Sequence, residues 1–289
     1  MGKDFKLKMA KQLGEKVAMD EGFTELPVDP FKIAANHEIV VRAKPDTAAG
    51  VSGMLVRCGD TFGILYATHI DSEGFQRFSV AHELGHYFLD GHPEHVLKDG
   101  MHESRAGFVT GDPFELEADH FAAGLLMPKK AFSREIGRNH DGLVGLKALA
   151  GRCNTSLTST ALRYADLTDC PAAVVVSTGQ IIDYCFMSGA LRNLDGLTWI
   201  KKGTPLPNSC ETQRFNASLG NVRNGLDAED ETNLADWFGG RRSVKGLEEV
   251  VGLGSYGKTL TVLTFNALPD DEDEDTEEDL ERSWTPRFR

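Results

Sequence analysis

The chain has 289 residues and a net charge of −13, with 40% apolar and 26% charged residues. That size and balance suit a globular protein of two or three domains. They leave no apolar run able to span a bilayer, and the acidity disfavours non-specific nucleic-acid binding. Cys58, Cys153, Cys170, Cys185 and Cys210 are scattered without a C-x-x-C pair, which speaks for reduced thiols and against a cysteine metal site. No secretory pattern follows Met1, so a cytoplasmic location is expected.

In chain order, Phe5 to Glu21 reads as an amphipathic helix. His37 to Arg42 and Met54 to Arg57 read as strands, and Gly59-Asp60 is a hairpin turn. Phe62 to Ile70 is rich in β-formers. The next stretch is the most informative: Phe78-Ser79-Val80-Ala81-His82-Glu83-Leu84-Gly85-His86-Tyr87-Phe88 contains H-E-x-x-H. A chain of this length would contain the pattern by chance about once in a hundred.

The chemistry explains the spacing. Histidines four apart lie on one helix face, so His82 and His86 can reach one metal ion. Glu83 points along another edge, where it can take a proton from the attacking water. At 100° per residue, Phe78, Ala81, Gly85, Phe88 and Leu89 share the histidine face, while Val80, Leu84 and Tyr87 cover the other side. A helix apolar nearly all round is buried, and buried histidines need partners. Gly85 is unfavourable inside a helix unless something must approach closely there.

Between Gly91 and Gly111 lies a long segment with His92, His95 and His102, which reads as a loop able to gate a site. Any of these, or His69 or Tyr87, could steady an oxyanion; the residues do not choose among them. Asp112 reads as an N-cap and Pro113 as the first residue of a helix that Pro128 ends. Phe114, Ala118, Phe121, Ala122 and Leu125 form its inward stripe. Glu115 borders that stripe, while Glu117 and His120 point away. Glu115 is therefore the candidate third metal ligand. Asp112-x-x-Glu115 also spells a capping box, in which Glu115 would only bond the Asp112 N–H. Asp119, one turn on, could hold the far ring nitrogen of a ligating histidine or stand as an exposed helix acid.

Asn139-His140-Asp141-Gly142 reads as a linker. Leu143 to Ala150 and Leu157 to Leu167, joined by Cys153-Asn154-Thr155-Ser156, read as a helix-turn-helix. A DNA-reading helix presents several Arg, Lys, Asn or Gln. This one offers only Arg163, with Arg152 before it, so direct DNA binding is not expected. After Pro171 the segments Ala172–Ser177, Gln180–Met187, Leu197–Ile200 and Thr259–Phe265 read as strands. Asn233–Phe238 and Leu247–Val251 read as short helices. Gly252 to Thr259 lacks the phosphate-loop spacing and reads as a glycine-rich turn into a strand. Pro269 to Glu281 holds ten acids and no base, which leaves −3 for the rest of the chain. It reads as a solvated, disordered tail.

Arg77-Phe78-Ser79-Val80-Ala81-His82-Glu83-Leu84-Gly85-His86, followed by Glu115-x-x-Ala118-Asp119-x-Phe121-Ala122-Ala123-x-Leu125-Leu126-Met127-Pro128, resembles the ImmA/IrrE family of metallopeptidases. The likeness covers about fifty residues. The family often has asparagine where this chain has Asp119.

The resemblance implies a zincin-like fold with zinc, or manganese in its place, on His82, His86 and Glu115. Glu83 would be the catalytic glutamate, with Asp119 behind a ligand histidine. It also implies that a strand just before the metal helix, here Phe62–Ile70, holds extended substrate by edge pairing. The layout is closest to the IrrE-type stress-response branch, which suggests a GAF-like C-terminal domain. The resulting expectation is an α+β protein: a zincin-like peptidase domain over 1–137, a helix-turn-helix module over 138–171, a GAF-like sensor over 172–268 and an acidic tail over 269–289.

The expected activity is zinc-dependent cleavage of a regulatory protein, a helix-turn-helix repressor in this family, derepressing stress-response or mobile-element genes. The rival reading is a non-catalytic, metal-containing transcription regulator. The presence of Glu83 speaks against it, because a structural site gains nothing from a base there.

Overall fold

The computed structural model describes residues 2–44, 51–69, 72–105, 111–139, 141–194, 196–240 and 243–266. The acidic stretch from Pro269 onward and His140 of the expected linker lie outside them. Two compact units are present, Met1–Thr168 and Asp169–Arg289.

The first unit begins with α1 (Lys3–Asp20) and α2 (Pro30–Asn36), the latter capped by Asp29, which accepts from the N–H groups of Phe31 and Lys32. Three strands follow: β1 (Val40–Lys44), β2 (Val51–Cys58) and β3 (Thr61–Ala67). Then come α3 (Glu73–Phe88), α4 (His92–Val96), β4 (Met101–Arg105), α5 (Pro113–Leu126), α6 (Lys129–Ile136), α7 (Gly142–Cys153) and α8 (Leu157–Leu167). The sheet order is β1-β3-β2-β4, with β1 parallel to β3 and the other pairs antiparallel.

Several expectations shift. The first strand starts at Val40 rather than His37, because α2 runs to Asn36 and Glu38 turns the chain with φ 59°. The hairpin at Gly59-Asp60 is present, with Gly59 at φ 61°. β3 is not an edge. It is paired on both sides, with β1 and β2, so its backbone cannot hold a substrate strand. Nor is the segment after Gly91 a bare loop: it forms α4 and then β4, which is an outer strand of the sheet among the described residues.

Helix α3 packs against β2, β3 and α5, and α1 packs along α5. Two glycines set the second contact. A Cβ on Gly14 would strike the carbonyl oxygen of Phe121, and one on Gly124 would strike that of Lys11. These are backbone atoms of helices and cannot swing aside. Gly124→Ala is therefore expected to cost about 3 kcal/mol or more, at or beyond the top of the ordinary overpacking range. A urea melt checks this, and an unchanged midpoint would show that the helices part freely.

Helices α7 and α8 form as expected. Asn154 ends α7 in the left-handed region at φ 54°, and Ser156 caps α8 by accepting from Ser159 N–H. Both lie inside the first unit. Arg163 shows why. It is 4% exposed, its Nε donates to the Met127 carbonyl at 3.0 Å, and its guanidinium pairs with Asp166 and Glu15. The one cation on the body of the expected reading helix is a packing residue.

The second unit holds β5 (Ala172–Thr178), β6 (Ile181–Met187), α9 (Gly189–Arg192), α10 (Glu211–Asn216), α11 (Leu219–Arg223), β7 (Asp227–Asn233), α12 (Leu234–Phe238), β8 (Lys245–Gly252) and β9 (Thr259–Phe265). Its sheet is wholly antiparallel, in the order β6-β5-β9-β8-β7. Ala173, Val175, Leu263 and Phe265 pack with Leu191, Leu234, Trp237 and Phe238 to form its core. Cys185 belongs to that core, as expected. Leu247–Val251 lies in strand β8 and not in a helix, and Leu197–Ile200 carries no strand. The buried Glu248 carboxylate on β8 accepts from both the N–H and the hydroxyl of Thr212, which satisfies it structurally. No helix among the described residues is long and apolar enough to cross a membrane.

Candidate metal centre

Helix α3 starts at Ser72, whose hydroxyl accepts from Phe75 N–H, and it is buried from Ser79 through His86. Asp112 caps α5 by accepting from Phe114 N–H at 2.9 Å. The two helices meet where Gly85 faces Ala118. A Cβ on Gly85 would lie 3.1 Å from Ala118 Cα and 3.2 Å from Phe121 Cδ1, so this is the close approach that a glycine in mid-helix implies.

That contact brings three donors together. His82 Nε2 and His86 Nε2 are 3.1 Å apart. Glu115 Oε1 lies 3.2 Å from His86 Nε2, and Oε2 lies 3.4 Å from His82 Nε2. Four ligands held at 2.0–2.1 Å around a tetrahedral zinc ion are separated by about 3.3 Å. The spacing of these three atoms therefore fits a tetrahedral divalent cation, and His82, His86 and Glu115 are the group able to hold one among the described residues. Both oxygens of the Glu115 carboxylate face imidazole nitrogens.

The surroundings match a cation site. Asp119 Oδ1 lies 2.9 Å from His82 Nδ1, so this acid is turned inward. Burial works against a charged His82, but hydrogen bonds with Asp119 and Glu115 hold it up to about 10. Burial pushes His86 down to about 3. Glu115 stays well below the usual carboxylate range despite burial, through hydrogen bonds from His102, His82 and His86. Glu83 is fully buried; neither of its oxygens makes a hydrogen bond of ordinary geometry, and the Ser104 hydroxyl, itself without one, lies close enough to favour the charged form. Burial pushes its carboxyl up to about 7. A buried carboxylate without partners is costly unless it serves a bound group.

The five oxyanion candidates now separate. His102, on β4, places Nε2 2.8 Å from Glu115 Oε1 and its ring 4.7 Å from that of His86. His92 is buried behind His86, touching that ring's far nitrogen. His95 stacks flat on Phe114 at 3.8 Å, and Tyr87 packs edge-on against Phe62 and Phe88. His69 stands in the segment before α3. Glu117, expected to point away, reaches His92 at 3.4 Å. Gly53 on β2 escaped the sequence altogether: a Cβ there would stand 2.6 Å from Glu83 Oε1.

Comparison with known proteins agrees with this geometry. Residues 34–163 match the model of the IrrE N-terminal-like domain, a peptidase family. No curated protein matches the chain by sequence. A solved structure, a Mycobacterium tuberculosis transcriptional regulator, superposes with a TM-score of 0.57 at 15% identity, over 89% of this chain and 76% of that one. At that identity the likeness concerns the fold.

Proposed function

Starting from a chain that belongs to the ImmA/IrrE family through its residues 34–163, we propose that it is a zinc-dependent endopeptidase acting in the cytoplasm on a regulatory protein, a helix-turn-helix repressor. The observation that carries this reading is the tetrahedral spacing of His82, His86 and Glu115 with the buried, unpartnered Glu83 beside them. A structural metal site would fill its fourth position and leave a base there without work. The repressor as substrate rests on the family resemblance.

His82, His86 and Glu115 would hold zinc, or manganese, and Asp119 would fix the orientation of His82. A cation bound there supplies Lewis acidity, polarising the scissile carbonyl and easing ionisation of the attacking water. Glu83 takes the proton from that water and passes it to the leaving amine. His102 would donate to the developing oxyanion once a bound cation draws Glu115 Oε1 away from its Nε2. The outer edge of β4, which carries His102 and Ser104, offers the backbone ladder on which an extended substrate would pair. The second unit, with helices on one face of an antiparallel sheet, serves as a GAF-like regulatory module.

The test compares protein N-termini in cells expressing the wild-type chain or Glu83→Gln, with and without DNA damage. A new terminus inside a helix-turn-helix repressor, seen only with the wild type, is the expected result. Identical termini in both strains under every stress would overturn the peptidase reading.

A further inference from the structure

Both metal-facing imidazoles have a second nitrogen that must be satisfied, and the chain treats the two differently. His82 turns Nδ1 to the carboxylate of Asp119. His86 turns Nδ1 to another imidazole, with His92 Nδ1 at 3.1 Å. His92 is 1% exposed, and its Nε2 lies 3.4 Å from Glu117 Oε2. Glu117 in turn lies 3.6 Å from Lys6 Nζ, on α1.

The direction of every proton in this row follows from one condition. A ligating His86 gives the lone pair of Nε2 to the cation, so its proton sits on Nδ1 and is donated outward. His92 must then accept at Nδ1, which places its own proton on Nε2, pointing at Glu117. Each imidazole is neutral and donates once, and the row ends on an acid balanced by Lys6. His92 stands six residues after His86, the spacing at which H-E-x-x-H-x-x-G-x-x-H sites take a third ligand. Here Leu89 replaces the glycine, α3 ends at Phe88, and Gly91 turns the chain with φ 77°. That turn delivers His92 to the far side of His86 instead of to the cation.

We propose that His92 and Glu117 are positioning residues that fix the tautomer and ring orientation of His86, as Asp119 does for His82, and thereby set metal affinity. This inference rests on the zinc reading above. It gives work to α4, and to α1 through Lys6, a helix that precedes the family-matched span.

The test measures zinc affinity by competition with a chromophoric chelator on the full chain. His92→Leu removes the acceptor while filling the space and is expected to weaken zinc binding about 10–100-fold. His92→Asn places an amide oxygen where Nδ1 stood and is expected to recover most of that loss. Glu117→Leu lowers affinity in the same direction. Long-range 1H–15N spectra of the zinc-loaded wild type are expected to show His92 neutral with its proton on Nε2, a readout that does not depend on any variant folding. Unchanged affinity in a folded His92→Leu chain, an Asn variant as weak as Leu, or a His92 proton on Nδ1 would each overturn the relay and leave the zinc site standing. A wild type that binds no divalent ion would overturn both.

Discussion

Replacement of Glu83 by glutamine is expected to remove peptide cleavage by a factor on the order of 10²–10⁴ while leaving fold and zinc affinity in place. The amide has the shape of the carboxylate but cannot take a proton from water. The side chain is fully buried, and its polar neighbour, the Ser104 hydroxyl, can serve an amide as well as a carboxylate. Stability should lose one pH-dependent cost. Burial holds the folded-state carboxyl at about 7, above its unfolded value, so at neutral pH the ionised group destabilises the fold, a cost that grows as pH rises through the window between the two. Glutamine carries no such cost. The checks are kcat/KM on an identified substrate, zinc stoichiometry and Tm of the metal-free chain. Cleavage surviving in Glu83→Gln would exclude this glutamate as the base. Zinc lost together with cleavage would assign it to the ligand set.

Gly53→Ala is expected to lower kcat/KM about 100-fold with little change in zinc affinity or melting. Gly53 lies on β2, paired with Tyr66 on β3 and Ser104 on β4, beside a register shift at Ser52. The added methyl would stand 2.6 Å from Glu83 Oε1 and 3.2 Å from its Cγ. The colliding atom is the end of a side chain, so the carboxylate yields and the strand does not. That displacement costs the geometry of proton transfer without touching His82, His86 or Glu115. Wild-type activity in Gly53→Ala would mean that the base tolerates a shift of this size.

The two helices that carry the candidate ligands were legible because long segments with caps and a 3.6-residue apolar period declare themselves locally. The same period put Glu115 at the border of the inward stripe, but it left Asp119 open between a partner for a histidine and an exposed acid. What escaped is non-local or short. β4 and α4 span five residues each, too few for a period to emerge, and the arrival of His102 at the site depends on β4 pairing Leu55 with His102. Gly53 faces Glu83 through a strand–helix contact that no local pattern encodes. β7 escaped because Asp227, Glu229, Asp230 and Glu231 are poor strand formers, and charge suits the outer strand they form. Leu247–Val251 was misread because a short apolar run fits either element. The packing role of Arg163 escaped because two of its three partners, Met127 and Glu15, lie far off in the chain, although Asp166 is one helical turn on.

The outer strand β4 is five residues long, which corresponds to about 17 Å of extended backbone. On the proposed peptidase reading, a partner cleaved along it would have to surrender that much helix or loop before it fits. The observed rate is then the product of an opening equilibrium in the partner and the intrinsic rate at the metal. A cofactor, DNA site or second subunit that tightens the partner's fold would slow its destruction without ever touching this protein, so the switch between survival and cleavage can reside in the substrate.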